Sequence, residues 1–432
     1  MTDSADTPTG TGGGRKPRHW LRWTALGTAL VVLVAAGVGW WVYRKLNANI
    51  TADAAAEAEL RAYEKERPAA EVRGARNILL IGSDSRAGAG NSEYGRVKGQ
   101  RSDTTILLHI AAHGSSATAV SVPRDLMVRV PSCARPDRTR TAAQYAQFNW
   151  AYAVGGPACT IRTLEKLTGI RIDHFVVVDF QGFKEMVDAV DGVTVCLKEP
   201  IDDRDARLKL PAGRQLLRGE QALGFVRARK TLGDGSDTER MDRQQQFLGA
   251  LVDKVQSDGV LLNPAKLYPV LDAATRSLTT DPGLASLRDL YGLSRSMRSV
   301  PTDRVQFLTV PREPYVNDPN RDQLVQPAAD RLFARLRSDL PVTVHPSPTG
   351  DAPGNGSGGS SGDGSRDGSR GEPGDDSGNG PGDDSRGKTA PGNVTGNRAG
   401  NEAGMGASAA PGPLAAPSPT PSFAGRNAAQ SC

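Results

Sequence analysis

A long stretch near the N-terminus contains no charged residues, and this feature limits how the chain can be organised. No charged residue occurs from Trp23 to Tyr43, and at about 1.5 Å per helical residue this length spans a bilayer core roughly 30 Å thick. Aromatic side chains stand at both ends of the stretch, which is typical of membrane interfaces. A cleaved signal peptide is the competing interpretation, but Trp40 and Trp41 stand where a small-residue cleavage site is required. The stretch at 23–43 therefore predicts a membrane anchor.

Charges on the two sides of this anchor predict its orientation. The run from Arg15 to Arg22 is strongly basic, and Arg44 and Lys45 offset only part of that excess. Because cytoplasmic flanks carry the positive excess, residues 1–22 are expected in the cytoplasm and the remainder outside the cell. Residues 44–72 are rich in alanine and glutamate and predict a helical stalk, broken at Pro68.

Composition limits how much of the chain folds. Of the 432 residues, those at 343–432 are dominated by glycine, serine, proline, aspartate, asparagine and alanine. Such a segment cannot bury enough apolar area to offset its chain entropy, so it is predicted to be disordered. One large domain at 73–342 remains. The net charge of +5 fits an anionic ligand or surface without requiring nucleic acid.

The cysteines and histidines argue against a zinc site. The sequence has four cysteines but no C-x-x-C motif, and its histidines form no H-E-x-x-H motif. A domain outside the cytoplasm allows a disulfide, and we favour Cys133 with Cys159. That pairing leaves Cys196 as the third cysteine of the folded region, without a partner there. Cys159 as a nucleophile would need a histidine base that the local sequence does not supply.

Apolar runs and their breaks predict an α/β domain with a mixed central sheet and helices on both faces. The first strand begins at Asn77 and ends at the Gly82-Ser-Asp turn, and the second begins at Arg101. Further strand patterns lie at 118–122, 126–130, 174–178, 193–197 and 305–310, and helical patterns lie at 149–154, 159–167, 180–190, 236–257, 264–277, 284–298 and 325–337.

The densest group of charges lies between Phe225 and Gln245. If residues 225–229 are extended, a period of two places Arg227 and Arg229 on one face with Phe225. A helix is predicted from Ser236, where Ser236 and Glu239 form a capping-box pattern. On that helix one face runs from guanidinium to apolar, with the residues Arg240, Arg243, Gln244, Phe247, Leu248 and Leu251. Arginines that lead into a core stripe favour an anion as their partner over a structural ion-pair network.

Acid–base pairs follow three of the predicted strand boundaries. They are Asp84 with Arg86, Arg101 with Asp103, and Arg124 with Asp125. Strand ends and the loops beyond them build ligand sites in α/β sheets. If the first two strands are neighbours, the carboxylates of Asp84 and Asp103 meet, and two carboxylates beside an anionic substrate suit Mg²⁺. The alternative for each carboxylate alone is a turn cap or a local ion pair.

These residues together predict phosphoryl transfer. Guanidinium groups and a metal ion neutralise the oxygens of the transferred group. The sequence has no G-x-x-x-x-G-K-[ST] loop and no kinase motifs, which argues against ATP as the donor.

Six segments carry a specific resemblance. In chain order they are Gly82-Ser-Asp-Ser-Arg86, Arg101-Ser-Asp-Thr104, Ser121-Val-Pro-Arg-Asp125, Asn149-Trp-Ala-Tyr-Ala-Val-Gly-Gly156, Val178-Asp-Phe-Gln-Gly-Phe183, and Val226-Arg-Ala-Arg229 followed by Asp237, Arg240 and Gln244. Over roughly Asn77 to Leu251 the chain resembles the LytR-CpsA-Psr family of wall-polymer transferases. The resemblance implies an anchored enzyme that moves a glycopolymer phosphate from an undecaprenyl-pyrophosphate carrier to peptidoglycan, forming a phosphodiester.

The resemblance also implies roles for individual residues. Asp84 and Asp103 match the family's magnesium ligands, and Asp237 matches a residue proposed to deprotonate the acceptor hydroxyl. The positions that match pyrophosphate and head-group contacts are Arg101, Arg124, Arg227, Arg229, Arg240 and Gln244, of which Arg124 and Arg240 are also taken as catalytic. One departure is that Gln147 and Phe148 precede Asn149, where many members have a basic residue. Arg243 and Asp234 are left as structural.

Other functions remain open from the sequence. A polyprenyl-pyrophosphate hydrolase would use the same site with water in place of the sugar hydroxyl. A non-catalytic regulator tethered to the membrane could bind an anionic polymer with the same arginines. DNA is disfavoured, because the arginines lead into an α/β core and form neither a recognition helix nor a basic stripe.

The sequence contains no motif that identifies a binding groove for the lipid part of the donor. Phe183, Met186, Val187 and Val190 form a helical stripe that either lines a lipid groove or belongs to the ordinary core.

Overall fold

The structure is a computed structural model, and it describes residues 19–83, 102–228, 237–257, 264–298, 300–345 and 422–427. The helices in these residues are α1 His19–Asn49, α2 Ala54–Ala62, α3 Phe148–Thr168, α4 Phe180–Ala189, α5 Gly219–Arg227, α6 Asp237–Ser257, α7 Pro264–Ser277, α8 Leu287–Arg298 and α9 Ala328–Arg337.

The strands in the described residues are β1 Thr51–Ala52, β2 Arg76–Ser83, β3 Ser102–Ile110, β4 Ala117–Val122, β5 Met127–Val130, β6 Gln144–Gln147, β7 His174–Asp179, β8 Val193–Leu197, β9 Ile201–Asp203, β10 Leu208–Leu210, β11 Gly213–Leu217, β12 Leu278–Thr280, β13 Val305–Thr309, β14 Arg312–Tyr315, β15 Asp318–Leu324, β16 Thr343–His345 and β17 Ser422–Asn427.

Nine of these strands form one mixed sheet in the order β1-β12-β7-β2-β3-β4-β13-β17-β16. Near its centre β2 is antiparallel to β3 and parallel to β7, while β4 is antiparallel to β3 and parallel to β13. The predicted strand that extended past Leu126 is instead a separate hairpin, in which β5 pairs with β6. The mixed sheet itself is confirmed.

Alternation along the central strands builds a core on each face of the sheet. Leu79 and Ile81 of β2 pack on one face with residues of α3 and α9. Ile78 points to the other face, into a cluster against which residues of α6 and α8 pack. A third apolar cluster, around Phe225 and Phe247, joins α4, α5 and α6 to the small strands β8–β11. Because neighbouring residues of a strand face opposite sides, the helices cover both faces, as predicted.

The anchor and the domain are joined without a stalk. Residues Trp23–Asn49 are long and apolar enough to cross a membrane, with a mean hydropathy of 2.0. The end of the same helix bonds to the domain: Asn49 Nδ2 donates to Asp272 Oδ1 at 3.2 Å, and Asn47 Oδ1 accepts from the Leu287 amide at 3.0 Å. Residues 44–49 therefore belong to both parts.

The helix α2 also departs from the predicted stalk. Ala56 and Leu60 are both buried in the core cluster that includes α3. Residues four apart lie on one helix face, so α2 is amphipathic and packs on the domain.

The predicted break at Gly155-Gly-Pro is a kink inside α3. Gly156 adopts φ +58 and ψ −150 there, and a Cβ at Gly155 would lie 2.7 Å from that of Cys159. This close approach accompanies a disulfide between Cys133 and Cys159, with a Cα–Cα distance of 5.6 Å, which confirms the favoured pairing. The expectation that Cys196 is unpaired is wrong, because Cys196 is also disulfide-bonded.

Two short pieces of the segment predicted as disordered are strands. β17 lies between β13 and β16 in the main sheet, and its Phe423 is buried in the core that contains Leu308. One large apolar residue in a neighbourhood of proline, serine and alanine gave little sequence signal for this strand. The rest of the tail, 346–421 and 428–432, lies outside the described residues.

Candidate active site

A cavity of about 630 Å³ opens between one end of the central strands and the helices α4, α5 and α6. One part of its wall is charged and polar, and the remainder is mostly apolar. The polar lining residues are Asp103, Thr104, Arg124, Asp179, Asp203, Asp205, Arg227, Arg240 and Gln244. Five of the residues predicted for the site, Asp103, Arg124, Arg227, Arg240 and Gln244, thus line one cavity.

Asp103 stands at an irregularity between β2 and β3. Gly82 pairs with Thr104, but Ser83 pairs with Ser102, so Asp103 is the extra residue of a bulge. Bulges near active sites turn a side chain out of the regular ladder. The two strands are neighbours, as the predicted carboxylate pair requires, and Asp84 directly follows Ser83 in the chain. Asp84 and Arg101 themselves lie outside the described residues.

The guanidinium of Arg124 is held by two carboxylates. Its Nη1 donates to Asp103 Oδ1 at 3.0 Å and its Nε to Asp125 Oδ2 at 3.1 Å. Gln147 occupies the place of the basic residue seen in many family members, and its Nε2 donates to Asp125 Oδ1 at 2.9 Å. The amide of Asn149 donates to the Arg124 carbonyl at 2.9 Å. Two of the motifs therefore meet here, and they fix the position of Arg124.

The chain around Arg227 is helical, which corrects the predicted extended segment at 225–229. Arg227 is the last residue of α5. Its guanidinium carbon lies 4.7 Å from the ring centroid of Phe180, the first residue of α4. A cation over an aromatic face is attracted by the ring quadrupole. This contact, rather than strand alternation, directs Arg227 toward the cavity. Arg229 lies outside the described residues.

Helix α6 presents a buried polar face, as its sequence pattern predicts. Arg240 is 3 % exposed and Gln244 is 7 % exposed, and both line the cavity. Gln244 Nε2 donates to the Val226 carbonyl at 3.1 Å, which ties α6 to the end of α5. A polar face this deep needs such partners, since an unsatisfied buried polar group costs about 1–3 kcal/mol.

Arg243 points away from the cavity and has a structural contact. One of its amino groups donates to the Ala228 carbonyl, just after α5 ends, and Nη1 lies 3.8 Å from Glu239 Oε2. Burial lowers the pKa of Arg243 from its usual value, against the opposing effect of carboxylates that include Asp203. This agrees with the structural role predicted for Arg243.

Asp237 is the first residue of α6. Its side chain, the proposed cap Ser236 and the structural candidate Asp234 all lie outside what the structure describes. The role of Asp237 as a base therefore stays a prediction.

Three acidic residues in the cavity wall were not predicted. Asp179 caps α4, with its Oδ1 accepting from the Gly182 amide at 2.7 Å. Asp203 is only 1 % exposed, and its Oδ1 accepts from the Ala206 amide at 3.0 Å; Asp205 lines the cavity nearby. For Asp179 the sequence signal was its place in the segment Val178-Asp-Phe-Gln-Gly-Phe183. For Asp203 and Asp205 it was the charge run from Asp202 to Asp205, whose ordinary explanation is a solvated turn.

The α4 stripe is divided between the cavity and the core. Phe183 and Met186 line the cavity, whereas Val187 and Val190 are buried in the cluster around Phe247. The remaining apolar lining comes from the sheet, from the first residue of α4, from the turn before β10 and from α5 and α6, namely Leu80, Ile81, Ile106, Val178, Phe180, Ala206, Leu223, Val226, Phe247, Leu248 and Leu251.

The residues present fit a magnesium ion that is completed by its substrate. Within the described part of the chain there is no cluster of three or more histidine, cysteine, aspartate or glutamate side chains that could hold a metal. Mg²⁺ needs no such cluster, because it keeps several waters and binds through one or two carboxylates plus phosphate oxygens. Asp103, partly exposed beside the cavity, would supply one such carboxylate, and Asp84 would supply the other, since it directly follows Ser83, the strand partner of Ser102.

Comparison with known proteins gives a family and a fold. The sequence model of the LytR_cpsA_psr family matches residues 42–338. The chain is 34% identical to the cell wall biosynthesis protein LcpA of Corynebacterium glutamicum, over 55% of this chain and 50% of that protein. It is 30% identical to the polyisoprenyl-teichoic acid–peptidoglycan teichoic acid transferase TagV of Bacillus subtilis, over 70% of this chain and 74% of that protein.

A solved structure supports the fold alone. The crystal structure of protein gbs0355 from Streptococcus agalactiae superposes with a TM-score of 0.51 at 22% identity, covering 65% of this chain and 90% of that one.

The chain spans about half the length of the two Corynebacterium relatives LcpA and LcpB.

Proposed function

The chain belongs to the LytR-CpsA-Psr family, and we propose that it transfers a glycopolymer phosphate from an undecaprenyl-pyrophosphate carrier to peptidoglycan. The named relatives are teichoic acid–peptidoglycan transferases and cell wall biosynthesis proteins. For this chain, the proposal depends on one observation: the cavity joins a cluster of arginines to a long apolar wall.

The two kinds of lining suit the two parts of such a donor. A pyrophosphate carries several negative charges, and Arg124, Arg227 and Arg240 supply guanidinium groups to the cavity wall. Guanidinium binds phosphate oxygens through two parallel hydrogen bonds. The apolar wall of α4, α5 and α6 removes a prenyl chain from water, at about 25 cal/mol per Å² of apolar surface buried. A water-soluble nucleotide donor would leave this wall without an occupant.

The proposed reaction breaks a phosphoanhydride bond of the donor and forms a phosphate ester bond to the acceptor. The oxygen of an acceptor hydroxyl on peptidoglycan attacks the phosphorus that carries the glycopolymer. The bond from that phosphorus to the bridging oxygen breaks, and undecaprenyl monophosphate leaves with the electron pair. Asp237 receives the hydroxyl proton. The pyrophosphate is held and neutralised by Arg124, Arg227, Arg240 and Gln244, together with Arg101 and Arg229. The protein therefore acts mainly by positioning the reactants and by stabilising charge.

Mg²⁺ is proposed as the cofactor, held by Asp84 and Asp103. When bound it would neutralise charge that develops on the phosphate oxygens. Arg124 already pairs with Asp103 at 3.0 Å, which keeps guanidinium and metal ligand side by side for the same substrate group.

A reconstituted assay tests the transfer. The full chain, inserted in nanodiscs, receives a lipid-pyrophosphate-linked glycan, peptidoglycan and Mg²⁺. The expected result is lipid monophosphate released together with glycan covalently attached to peptidoglycan. Loss of a preorganised charge-stabilising group costs about 10²–10³ in kcat, so Arg240→Ala should reduce linkage by that order. Arg331→Ala, which removes an exposed arginine on α9, is the matched control.

The same assay separates the rival functions. Lipid monophosphate released without any linked glycan would show a pyrophosphate hydrolase. Saturable donor binding without release of either product, with Mg²⁺ present, would show a non-catalytic binding protein. Either outcome overturns the proposed transfer.

A further inference from the structure

We propose that the C-terminal strand β17 is a positioning element of the active site, which holds helix α6 in place through β13 and through Arg426. The strand lies outside residues 42–338, the part that matches the family. Its effect on α6 is a property of the fold, whereas its effect on turnover rests on the proposed function.

β17 is built into the sheet rather than laid on its surface. It is antiparallel to β13, with Arg426 opposite Phe307 and Gly425 opposite Leu308. On its other side it is parallel to β16, with Phe423 opposite Val344. Phe423 is buried in the core, and a Cβ added at Gly425 would collide with the Phe307 carbonyl. The strand therefore covers an edge of β13 that would otherwise present unpaired backbone groups.

The first connection to the active site runs through β13. Gln245 of α6 is 2 % exposed, and its Nε2 donates to Thr309 Oγ1 of β13 at 3.0 Å and to Ser121 Oγ of β4 at 3.2 Å. Gln245 directly follows Gln244, which lines the cavity. A displacement of β13 would therefore move α6 at the position of the donor-binding side chains.

The second connection is electrostatic. Asp242 lies on α6, two residues from both Arg240 and Gln244, and it is half-buried. Burial raises the pKa of its carboxyl, and three arginines oppose that effect, Arg426 most strongly, followed by Arg243 and Arg312. Arg426 thus brings to α6 a positive charge that comes from no part of the family domain. The geometric connection through β13 and Gln245 and the electrostatic influence of Arg426 on Asp242 reach the same turn of α6.

The strand belongs to the same chain as the sheet that it joins, and residues 346–421 lie between β16 and the strand. A covalently attached strand meets its site at an effective concentration that can reach the order of millimolar. A separate peptide must therefore be supplied at that level to replace it.

A double-mutant cycle tests the electrostatic coupling between Arg426 and Asp242. Arg426→Ala should lower the melting temperature of the full chain by about 2–4 °C and speed amide hydrogen exchange in α6. In an Asp242→Asn background the same change should have less than half the effect, because the buried charge that Arg426 offsets is gone. Arg426→Lys should restore most of the loss, and Arg331→Ala on α9 is the control. If Arg426→Ala had equal effects in the wild-type and Asp242→Asn backgrounds, the proposed coupling between Arg426 and Asp242 would be refuted.

Truncation tests the strand itself. A chain that ends at residue 421 should show faster exchange in β13 and α6 and a raised donor KM with a smaller change in kcat. Cys432→Ser in the full chain controls for the loss of that cysteine. A peptide of residues 420–432 carrying Cys432→Ser should reverse the changes at near-millimolar concentration, and the same peptide with Gly425→Val should not.

The outcomes decide the proposal even if the truncated chain fails to fold. Gly425→Val in the full chain removes no residue, yet it should loosen β13 and α6 in the same way. Unchanged exchange and melting in both Gly425→Val and Arg426→Ala would overturn the inference. Since exchange and melting need no substrate, they remain readable if the proposed transfer itself proves wrong.

Discussion

Among single residues, Arg124 shows most clearly that the shape of a charged side chain matters as well as its charge. Its Nη1 binds Asp103 and its Nε binds Asp125, so two carboxylates are held by one rigid fork. A lysine at this position would keep the charge but could not make both contacts in that geometry. We expect Arg124→Lys to lower kcat/KM for transfer at least about tenfold, measured in the reconstituted assay. Arg331→Lys controls for the exchange of residue type, and an unchanged kcat/KM would contradict the role.

Gln147 illustrates a departure from the family that the sequence could locate but not interpret. From the sequence alone, the departure was only that Gln147 and Phe148 stand where many members have a basic residue. The side-chain amide of Gln147 donates to Asp125, the carboxylate that orients Arg124. A side chain two contacts away from the cavity can thus support the site, and only the tertiary structure brings residues 125 and 147 together.

Asp242 predicts a pH dependence of stability. Burial raises the pKa of its carboxyl in the folded chain above its usual value. As pH rises through the window between the unfolded and folded pKa values, the unfolded chain gives up its proton first, and the folded chain loses stability. Asp242→Asn removes this loss.

The variant is therefore expected to match wild type near pH 3 and to exceed it in free energy of unfolding at pH 7. Denaturant unfolding at several pH values measures the difference, with exposed Asp303→Asn as the control. A difference that does not grow with pH would contradict the raised pKa.

Among helices and strands, α5 shows why a short window misled the sequence analysis. Phe225, Arg227 and Arg229 fit strand alternation, but five residues cannot distinguish a period of two from a helical period. Over the longer segment Ala222, Phe225 and Val226 follow helical spacing, and Ala222 and Phe225 are buried. Helix α6 was predicted correctly because its stripe extends over more than three turns. Asp203 could not be predicted, since the core contacts that bury its turn are distant in sequence.

The wall formed by α4 predicts how the donor's lipid is chosen. Met186 is half-buried and lines the cavity, and Phe183 packs on Phe247 with ring centroids 5.4 Å apart. Burying a methionine side chain contributes about 1.5–3 kcal/mol, so Met186→Gln should raise KM for an undecaprenyl donor about tenfold or more. KM for a donor with a short prenyl chain should change little. Leu216→Gln, at a position 51% exposed on β11, is the control; equal increases for both donors would exclude a lipid contact.

Across the chain, the sequence predicted best where one pattern extended over many residues. The apolar anchor and the alternation of strands and helices are of this kind. The predicted stalk failed at Asn47 and Asn49, whose polar contacts to Leu287 and Asp272 join residues more than two hundred positions apart. β17 was missed for a similar reason. Its single buried aromatic residue, Phe423, has meaning only beside β13, and local composition does not report on such pairing.

The basic N-terminal flank and the disulfide give the last prediction, an external domain. Positive charge before α1 favours cytoplasmic residues 1–22, and the disulfide between Cys133 and Cys159 suits an oxidising compartment. A single cysteine placed by Arg331→Cys should therefore react with a membrane-impermeant maleimide on intact cells, whereas one placed by Ser4→Cys should react only after lysis. Wild type, whose described cysteines are all bonded, gives the background. If only Ser4→Cys were labelled on intact cells, the orientation would be the opposite of the predicted one. The site would then lie in the cytoplasm, away from peptidoglycan, its proposed acceptor.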